Sequence, residues 1–408
     1  MNISPLTLIK SLLETKKSYI LARDLKWAVE KSFRHVRAID RRVASLSPNN
    51  NPRGFALLSY ILDAFFLKQE QPIPITHTNF WASLQIAKTL VEMGYHVDVI
   101  DYRNQTFIPE KDYSIVIDVR NNLERMTPHL SKQCIRVMHL DTANILFHNA
   151  AEANRLLALQ QRRGVTLPPR RFEVPNVGIE NADCAITYGG EFAIKTFLYS
   201  NKPIYRVPCP VDLTCLKSED KDFESVRKSF LWFGSGGMIH KGLDLVLESF
   251  AEMPEYHLTV CGPVKKEPDF EKVFYKELYN TPNITTIGWI DVNSTQFMEI
   301  TNKCVGVVSA SCSEGAGTAT IICMGVGLIP VFTVEACAAA SDNIGFVLKD
   351  HKIDTIKQTV QEVANLPATT LHQISHEVSD YVRANHTREK FAYEYKMVLQ
   401  EIISTYQK

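Results

Sequence analysis

The sequence predicts an α/β protein built on two doubly wound parallel β-sheets. From residue 55 onward, short valine- and isoleucine-rich runs alternate with amphipathic segments of helical period. The alternation is interrupted by a charged stretch at residues 213–229 and resumes at Phe230. The chain has 408 residues, which is enough for two or three domains. We therefore expect two sheet domains that bind ligands at the carboxyl ends of their strands.

The first half of the chain has the pattern of one such domain. Strands are expected at residues 56–62, 96–100, 115–119, 135–140 and 184–188, where short apolar runs occur. Helices are expected at residues 79–93, at residues 144–163 and from Glu191. Because strands and helices alternate, we expect parallel strands joined by helical crossovers.

The second half repeats the pattern. Strands are expected from residue 230 and at residues 257–261, 284–287, 305–309 and 329–332. Helices are expected at residues 294–303, 318–326, 353–366 and 388–403. The last of these carries one apolar stripe, which predicts that one of its faces packs against the rest of the protein.

A turn of small residues follows the strand at 305–309. The turn, residues 311–318, contains one carboxylate, Glu314, and a helix is expected to begin at Thr318. A strand, a glycine turn and a helix N-terminus together present backbone N–H groups and a positive dipole end to an anion. The N–H groups expected to face that anion belong to Gly315, Ala316, Gly317 and Thr318. Glu314 is better suited to accept hydrogen bonds from hydroxyls beside the anion.

A second glycine turn lies within residues 230–244. It consists of Gly234, Ser235, Gly236 and Gly237. Glycines let the backbone approach a ligand closely, and Lys241 after the turn supplies a point charge suited to phosphate. The stretch is not a P-loop, because no Gly-Lys-Ser/Thr follows. It is not a dinucleotide fingerprint either, because Ile239 occupies the third glycine position.

Together the two turns resemble the C-terminal half of retaining GT-B glycosyltransferases of the "glycosyl transferases group 1" type, which is family 4-like. The similarity is carried by Lys241-Gly242-Leu243-Asp244, Glu314-Gly315 and Met324…Gly327…Pro330. It covers most of residues 230–350 well and the N-terminal half loosely. Two positions differ from the family pattern. The turn at 234–237 replaces an arginine, and Ile322 stands where the family has a second glutamate that binds the nucleotide ribose.

The resemblance implies a GT-B fold, in which two Rossmann-like domains face a cleft, and transfer of a sugar from a nucleoside-diphosphate sugar with retention. It implies that Lys241 and backbone amides hold the diphosphate and that Glu314 positions sugar hydroxyls. It also implies that His139, at the end of the strand at 135–140, faces the sugar. The donor is a co-substrate, and neither a metal nor a cofactor is expected. Each residue also has a structural interpretation: Glu314 as a helix cap, Lys241 as a solvated side chain, and His139 as a buried core residue.

The resemblance and the composition divide the chain into five segments. They are a basic helical arm and linker (1–50), an acceptor-side domain (51–212), a linker (213–229), a nucleotide-sugar domain (230–385) and a final helix that crosses back to the first domain (386–408). Two interpretations of the arm stay open. It either contacts an anionic membrane surface, where lipid-linked acceptors are found, or packs on the protein with a solvated basic face.

Composition bears on partners and compartment. Lys+Arg and Asp+Glu each number 45, so the formal net charge is zero and no global field favours nucleic acid as a partner. The nine cysteines have no metal-ligand spacing. The sequence shows neither a signal peptide nor an apolar run of about 20 residues. We expect a cytoplasmic protein, located at the inner face of the membrane if the arm binds lipid.

Three functions are compatible with these features. The first is a metal-independent glycosyltransferase acting on a glycan, a glycolipid or a small molecule. The second is a catalytically silent GT-B-fold protein used for binding or assembly, which the missing arginine and Ile322 favour. The third is a nucleotide-sugar epimerase or a phosphorylase on the same fold.

Overall fold

A computed structural model describes residues 41–49, 52–67, 78–214, 216, 221–337, 339 and 344–406. Most of the predicted arm, residues 1–40, lies outside these described residues. Residues Val43–Lys408 form one compact unit, which contains both sheets.

The first sheet occupies the first half of the chain. Its strands are β1 (Ala44–Leu46), β2 (Gly54–Tyr60), β3 (Tyr95–Asp101), β4 (Tyr113–Asp118), β5 (Ile135–Leu140), β6 (Cys184–Thr187) and β7 (Ile204–Arg206). The helices of this half are α1 (Thr78–Glu92), α2 (Asn122–Met126), α3 (Ile145–Arg163) and α4 (Glu191–Lys195), with 3-10 turns at Asp63–Phe66, Thr127–His129, Ile179–Asn181 and Leu198–Ser200. The strand order is β1-β3-β2-β4-β5-β6-β7, and every neighbouring pair is parallel except β1 with β3.

The second sheet is parallel throughout, in the order β10-β9-β8-β11-β12-β13. Its strands are β8 (Ser229–Phe233), β9 (His257–Cys261), β10 (Ile284–Gly288), β11 (Gly306–Ser309), β12 (Ile329–Thr333) and β13 (Phe346–Leu348). The helices of this half are α5 (Phe223–Val226), α6 (Leu243–Ala251), α7 (Pro268–Val273), α8 (Tyr275–Tyr279), α9 (Thr295–Asn302), α10 (Thr318–Gly325), α11 (Ile353–Ala364), α12 (Ala368–Asn385) and α13 (Arg388–Tyr406), with a 3-10 turn at Val264–Lys266. None of the helices described is both long enough and apolar enough to cross a membrane.

The prediction of two doubly wound α/β sheets is confirmed. Helices cover both faces of each sheet, so the central strands are continuous apolar runs rather than alternating ones. Val137 in β5 and Val308 in β11, for example, have no exposed surface. This architecture places the carboxyl ends of the parallel strands of each sheet along one edge.

The first strand departs from the sequence prediction, which placed residues 44–46 in the arm and linker. Ala44–Leu46 pairs antiparallel with residues 97–99 of β3 and forms the edge of the sheet. The Ser45 hydroxyl donates a hydrogen bond to the Asp98 carboxylate at 2.6 Å. A segment of three residues is too short to show a periodicity, so tertiary pairing decides its conformation.

The chain crosses between the two sheets at two adjacent places. Val211, after the first sheet, forms a parallel bridge with Thr387, which precedes α13. Arg388 forms an ion pair with Asp212 at 2.6 Å and joins the two crossing segments. Helix α13 then packs against α1 of the first domain.

Helix α3 links the two domains on another side. It follows β5 of the first domain, yet its last two arginines contact carboxylates of the second. Arg162 lies 2.6 Å from Asp244 and 2.9 Å from Glu248. Arg163 lies 2.7 Å from Glu248 and 2.7 Å from Glu277. We call these five residues the paired cluster, because every member has an opposite charge in contact.

Candidate active site

The two glycine turns found in the sequence meet at the carboxyl edge of the second sheet. They follow β8 and β11, which are neighbouring strands. The Lys241 ammonium donates a hydrogen bond to Oε1 of Glu314 at 2.6 Å, and the two side chains are only 11% and 15% exposed. The structure therefore brings together the two residues predicted to hold the diphosphate and the sugar, and it pairs them with each other.

Packing explains the glycine that follows each of these residues. Gly242 has φ +73°, and a Cβ atom there would lie 2.3 Å from the carbonyl oxygen of Ala310. A Cβ atom on Gly315 would lie 2.3 Å from the carbonyl oxygen of Asp141, in the first domain. Such distances leave no room for a side chain, so both positions require glycine. The second contact also shows that the Glu314 turn touches the first domain directly.

Charge at the pair is set by its neighbours. Burial would raise the pKa of the Glu314 carboxyl, but Lys241, His240 and Arg171 outweigh it and lower that pKa to about 2. Burial lowers the pKa of His240 itself to about 3, so His240 is neutral at pH 7. At neutral pH the positive charges facing the ionised Glu314 are therefore Lys241 and Arg171.

The glycine turn before Lys241 already has a carboxylate on part of its backbone. The turn consists of Gly234, Ser235, Gly236 and Gly237. Glu267 accepts hydrogen bonds from the N–H of Gly237 at 2.5 Å and from that of Met238 at 3.2 Å. The N–H of Gly234 donates to the carbonyl that ends β9 at 3.1 Å. The two N–H groups in the middle of the turn have no acceptor among the described residues.

The turn after Glu314 leads into α10. Gly317, with φ +72°, is the N-cap, and no side chain caps this helix. Its first N–H groups therefore lack partners within the helix and carry the positive end of the dipole. Ala316 is buried in a core cluster that contains residues of both domains, and Thr318 begins the helix.

Two neighbouring histidines, His148 and His240, hold the Glu314 turn, and their ring centroids lie 4.6 Å apart. His148, on α3 of the first domain, accepts at Nδ1 from the Ser313 hydroxyl at 3.0 Å, and its Nε2 donates to the Arg171 carbonyl at 2.8 Å. Nε2 of His240 donates to the Ser313 carbonyl at 2.5 Å. Ser313, next to Glu314, is thus fixed by both domains. His148 and Ser313 are 165 positions apart, so no local pattern in the sequence identifies them.

His139, the third predicted catalytic residue, lies apart from this pair. It is fully buried near the end of β5, with its ring centroid 5.8 Å from Tyr60, 4.8 Å from Tyr188 and 5.8 Å from Tyr395. Its Nδ1 lies 3.2 Å from the Tyr395 hydroxyl, and burial lowers its pKa to about 4. No hydrogen bond or ring contact among the described residues joins it to the ion pair. Its contact with a sugar stays a prediction.

Comparison with known proteins places the fold. No family model and no curated protein matches the chain. The sucrose-phosphate synthase of Thermosynechococcus elongatus aligns with a TM-score of 0.60 at 13% identity, over 86% of this chain and 99% of its own. HepE of Anabaena in complex with UDP aligns with a TM-score of 0.53 at 13% identity, over 86% and 100%. A glycosyltransferase from Rickettsia africae aligns with a TM-score of 0.52 at 12% identity, over 87% and 99%. The chain has the GT-B fold.

The first domain of this GT-B fold contains a cavity of about 480 Å³ at the carboxyl ends of β4 and β5. Its apolar lining comes from Val119, Met138, Leu140, Ile145, Leu146, Pro175, Val177, Ile179 and Phe197. Arg120, Glu124, Asp141 and Glu180 supply charge to the wall, and Arg120 forms an ion pair with Asp141 at 2.9 Å. Because the Asp141 carbonyl also contacts Gly315, the cavity adjoins the Glu314 turn. Sequence reasoning did not identify this cavity.

Within the ranges that the structure describes, no group of three His, Cys, Asp or Glu residues is arranged to hold a metal ion.

Proposed function

We propose that this protein transfers a glycosyl group from a nucleoside-diphosphate sugar to an acceptor hydroxyl. The observation that carries the proposal is the Lys241–Glu314 pair at the ends of two neighbouring strands, beside the uncapped start of α10. A cation and a helix N-terminus favour a diphosphate, and an ionised carboxylate beside them favours sugar hydroxyls. The aligned structures support the same class, since they include a glycosyltransferase and a protein in complex with UDP.

In this proposal Lys241 stabilises the leaving diphosphate. An ammonium has three N–H donors, of which Glu314 uses one, so two stay available for phosphate oxygens. When the bond between the anomeric carbon and the diphosphate oxygen breaks, negative charge develops on that oxygen. We propose that Lys241 and the first N–H groups of α10 stabilise it. We propose that the reaction needs no metal, so activity is expected to persist in excess EDTA; strict loss with rescue by magnesium or manganese would contradict this.

Glu314 orients the sugar. Its carboxylate is ionised at neutral pH because its pKa is about 2, so it accepts hydrogen bonds and donates none. Ser313, held from both domains, fixes its position along the chain. We propose retention of the anomeric configuration on the family resemblance, and proton NMR of the first-formed product tests that assignment.

We propose that the acceptor enters through the cavity of the first domain. The apolar lining favours an acceptor with an alkyl, prenyl or aromatic portion, while the Arg120–Asp141 pair offers polar contacts to its hydroxyl-bearing end. With alkyl glucosides as model acceptors, the acceptor KM is expected to fall as the chain lengthens from methyl to octyl. An unchanged acceptor KM would show that the cavity is not part of the acceptor site.

One experiment tests the proposed activity. Purified protein is incubated with UDP-, GDP-, ADP-, CDP- and dTDP-sugars, and the release of nucleoside diphosphate is followed with and without acceptor. We expect at least one donor to be cleaved, and Glu314→Gln to abolish most of the cleavage.

A second candidate function is a catalytically silent binding protein. It is favoured by Glu267, whose carboxylate occupies two N–H groups of the glycine turn that a phosphate would otherwise use. Binding of a nucleoside diphosphate without cleavage of any donor would support this candidate, whereas an epimerised sugar nucleotide would indicate an epimerase.

A further inference from the structure

A loop of the first domain reaches the glycine turn of the second. The loop follows α3 and carries two adjacent arginines. Arg170 forms an ion pair with Asp269 of the second domain at 2.5 Å. Arg171 lies against Gly237, where a Cβ atom would sit 2.6 Å from Cγ and 2.9 Å from Cδ of the arginine. The aliphatic stem of Arg171 therefore covers the turn that precedes Lys241.

The backbone of Arg171 is held by hydrogen bonds, whereas its guanidinium forms no ion pair with a described residue. Its N–H donates to the carboxylate oxygens of Glu152 at 3.0 and 3.2 Å, and its carbonyl accepts from His148 at 2.8 Å. Its Nε is buried without a hydrogen-bond partner, and none of the ion pairs among the described residues includes its guanidinium. Arg171 is partly exposed and its Nε lacks an acceptor, so its guanidinium keeps hydrogen-bonding capacity for a ligand.

The fork of the guanidinium favours an anion as its ligand. Lys241 and Arg171 are the two positive side chains beside Glu314. Two further carboxylates lie near, and both accept hydrogen bonds from backbone N–H groups. Glu152 accepts from the loop, and Glu267 accepts from the glycine turn. Neither makes an ion pair with Arg171, so its donors stay free for phosphate oxygens, which suit the fork of a guanidinium.

We propose that Arg171 is the second cation that holds the donor diphosphate, supplied by the first domain. The inference rests on the proposed function. The turn beneath its stem, Gly234-Ser235-Gly236-Gly237, contains no cation of its own. The small turn leaves space that the stem of Arg171 fills from the other side. The diphosphate site is then complete only when both domains contribute to it.

The test compares Arg171→Met, which keeps the stem over Gly237, with Arg170→Ala, which removes a guanidinium from the same loop. UDP, GDP, ADP, CDP and dTDP are first titrated into the wild type by calorimetry. The diphosphate that binds most tightly and the matching nucleoside are then used for the variants. We expect Arg171→Met to weaken binding of the diphosphate by about 10- to 100-fold and binding of the nucleoside by less than about twofold. Arg170→Ala should change the affinity for either ligand by less than about threefold. Arg171→Lys should fall between wild type and Arg171→Met, because it keeps the charge without the fork.

The outcomes separate this inference from the proposed function. If the wild type binds none of the nucleoside diphosphates, the proposed function fails. If the wild type binds one of them and Arg171→Met binds it as tightly as Arg170→Ala does, the assignment of Arg171 is overturned. The proposed function is then left unaffected. Unchanged diphosphate affinity with a raised acceptor KM would instead place Arg171 on the acceptor. Melting curves of all variants show whether a general loss of folding contributes, since such a loss would weaken nucleoside and diphosphate together.

Discussion

Two groups of charged residues lie where the first domain meets the second, and they differ in how their arginines are paired. In the paired cluster, Arg162 and Arg163 each contact two carboxylates. In the site cluster, which we define as Lys241, Glu314 and Arg171, the arginine has no carboxylate in contact among the described residues. Basic and acidic side chains thus occur in both, at the same domain boundary. A cluster in which every charge has an opposite charge in contact holds the domains together, and one that leaves a cation without a carboxylate in contact has capacity for an anionic ligand.

Glu314→Gln is expected to have the largest effect on activity. Glutamine keeps the shape of the side chain and can still accept from Lys241, but it removes the negative charge that orients the sugar. We expect kcat to fall by about 100- to 1,000-fold, measured at a temperature where a melting curve shows the variant folded, because removing one charge of a buried ion pair also lowers the free energy of unfolding. Near-normal rates at saturating donor would show that Glu314 belongs with structural ion pairs such as those of the paired cluster.

Lys241→Ala is expected to lower kcat/KM by about one to three orders of magnitude. A charge-assisted contact contributes about 1.5–3 kcal/mol, and each decade of rate corresponds to about 1.4 kcal/mol. The measurement is steady-state kinetics with varied donor. Lys241→Arg serves as the control, because it keeps the positive charge and should retain more activity than the alanine variant.

Arg163→Ala, in the paired cluster, is expected to lower stability and to leave activity nearly unchanged. It leaves Glu248 with one partner instead of two, and Glu277 without the contact to Arg163. We expect the free energy of unfolding in urea to fall by about 1–2 kcal/mol, because the pairs are partly buried. With kcat/KM within about threefold of wild type, the distinction between the clusters holds. A loss of activity as large as that of Lys241→Ala would contradict the distinction between the two clusters.

The smallest expected effect is the loss of folding stability at acidic pH. Burial lowers the folded-state pKa of His139 to about 4 and that of His240 to about 3, whereas the ordinary value is 6.5. The unfolded chain therefore binds protons first, and stability falls as pH drops below about 6.5, by about 0.7 kcal/mol per histidine between pH 7 and pH 6. Glu314 has a lowered carboxyl pKa, so its contribution is complete above about 4.5 and is lost only as pH falls towards 2. His139→Phe should reduce the pH dependence measured by urea unfolding; an unchanged slope would contradict the burial effect.

Much of the fold could be read from the sequence because buried parallel strands are continuous apolar runs. The bounds of β5 and β9 agree with the prediction residue for residue. Helix α12 was missed, since Ser375 and Ser379 occupy buried positions of its inner face and weaken the apolar stripe. They donate to carbonyls of the second domain, which local sequence does not reveal.

The site shows the same division between local and distant information. Lys241 and Glu314 could be brought together in advance, because both follow strands of one sheet and end in recognisable turns. Arg171, Glu267 and His148 could not. Each acts through contacts with residues many positions away, and none lies in a motif. For example, His148 and Ser313 are separated by 165 positions. Their contribution depends on how the domains pack, which a pattern along the chain does not encode.

The central claim is that the edge where Lys241 meets Glu314 binds a diphosphate. The most direct measurement is calorimetric titration of wild type and Lys241→Ala with the best nucleoside diphosphate and with the matching nucleoside. We expect the diphosphate to bind about tenfold or more weakly to the variant and the nucleoside to bind both proteins alike. Equal diphosphate affinity in the two proteins would make Lys241 an ordinary structural partner of Glu314 and contradict the account.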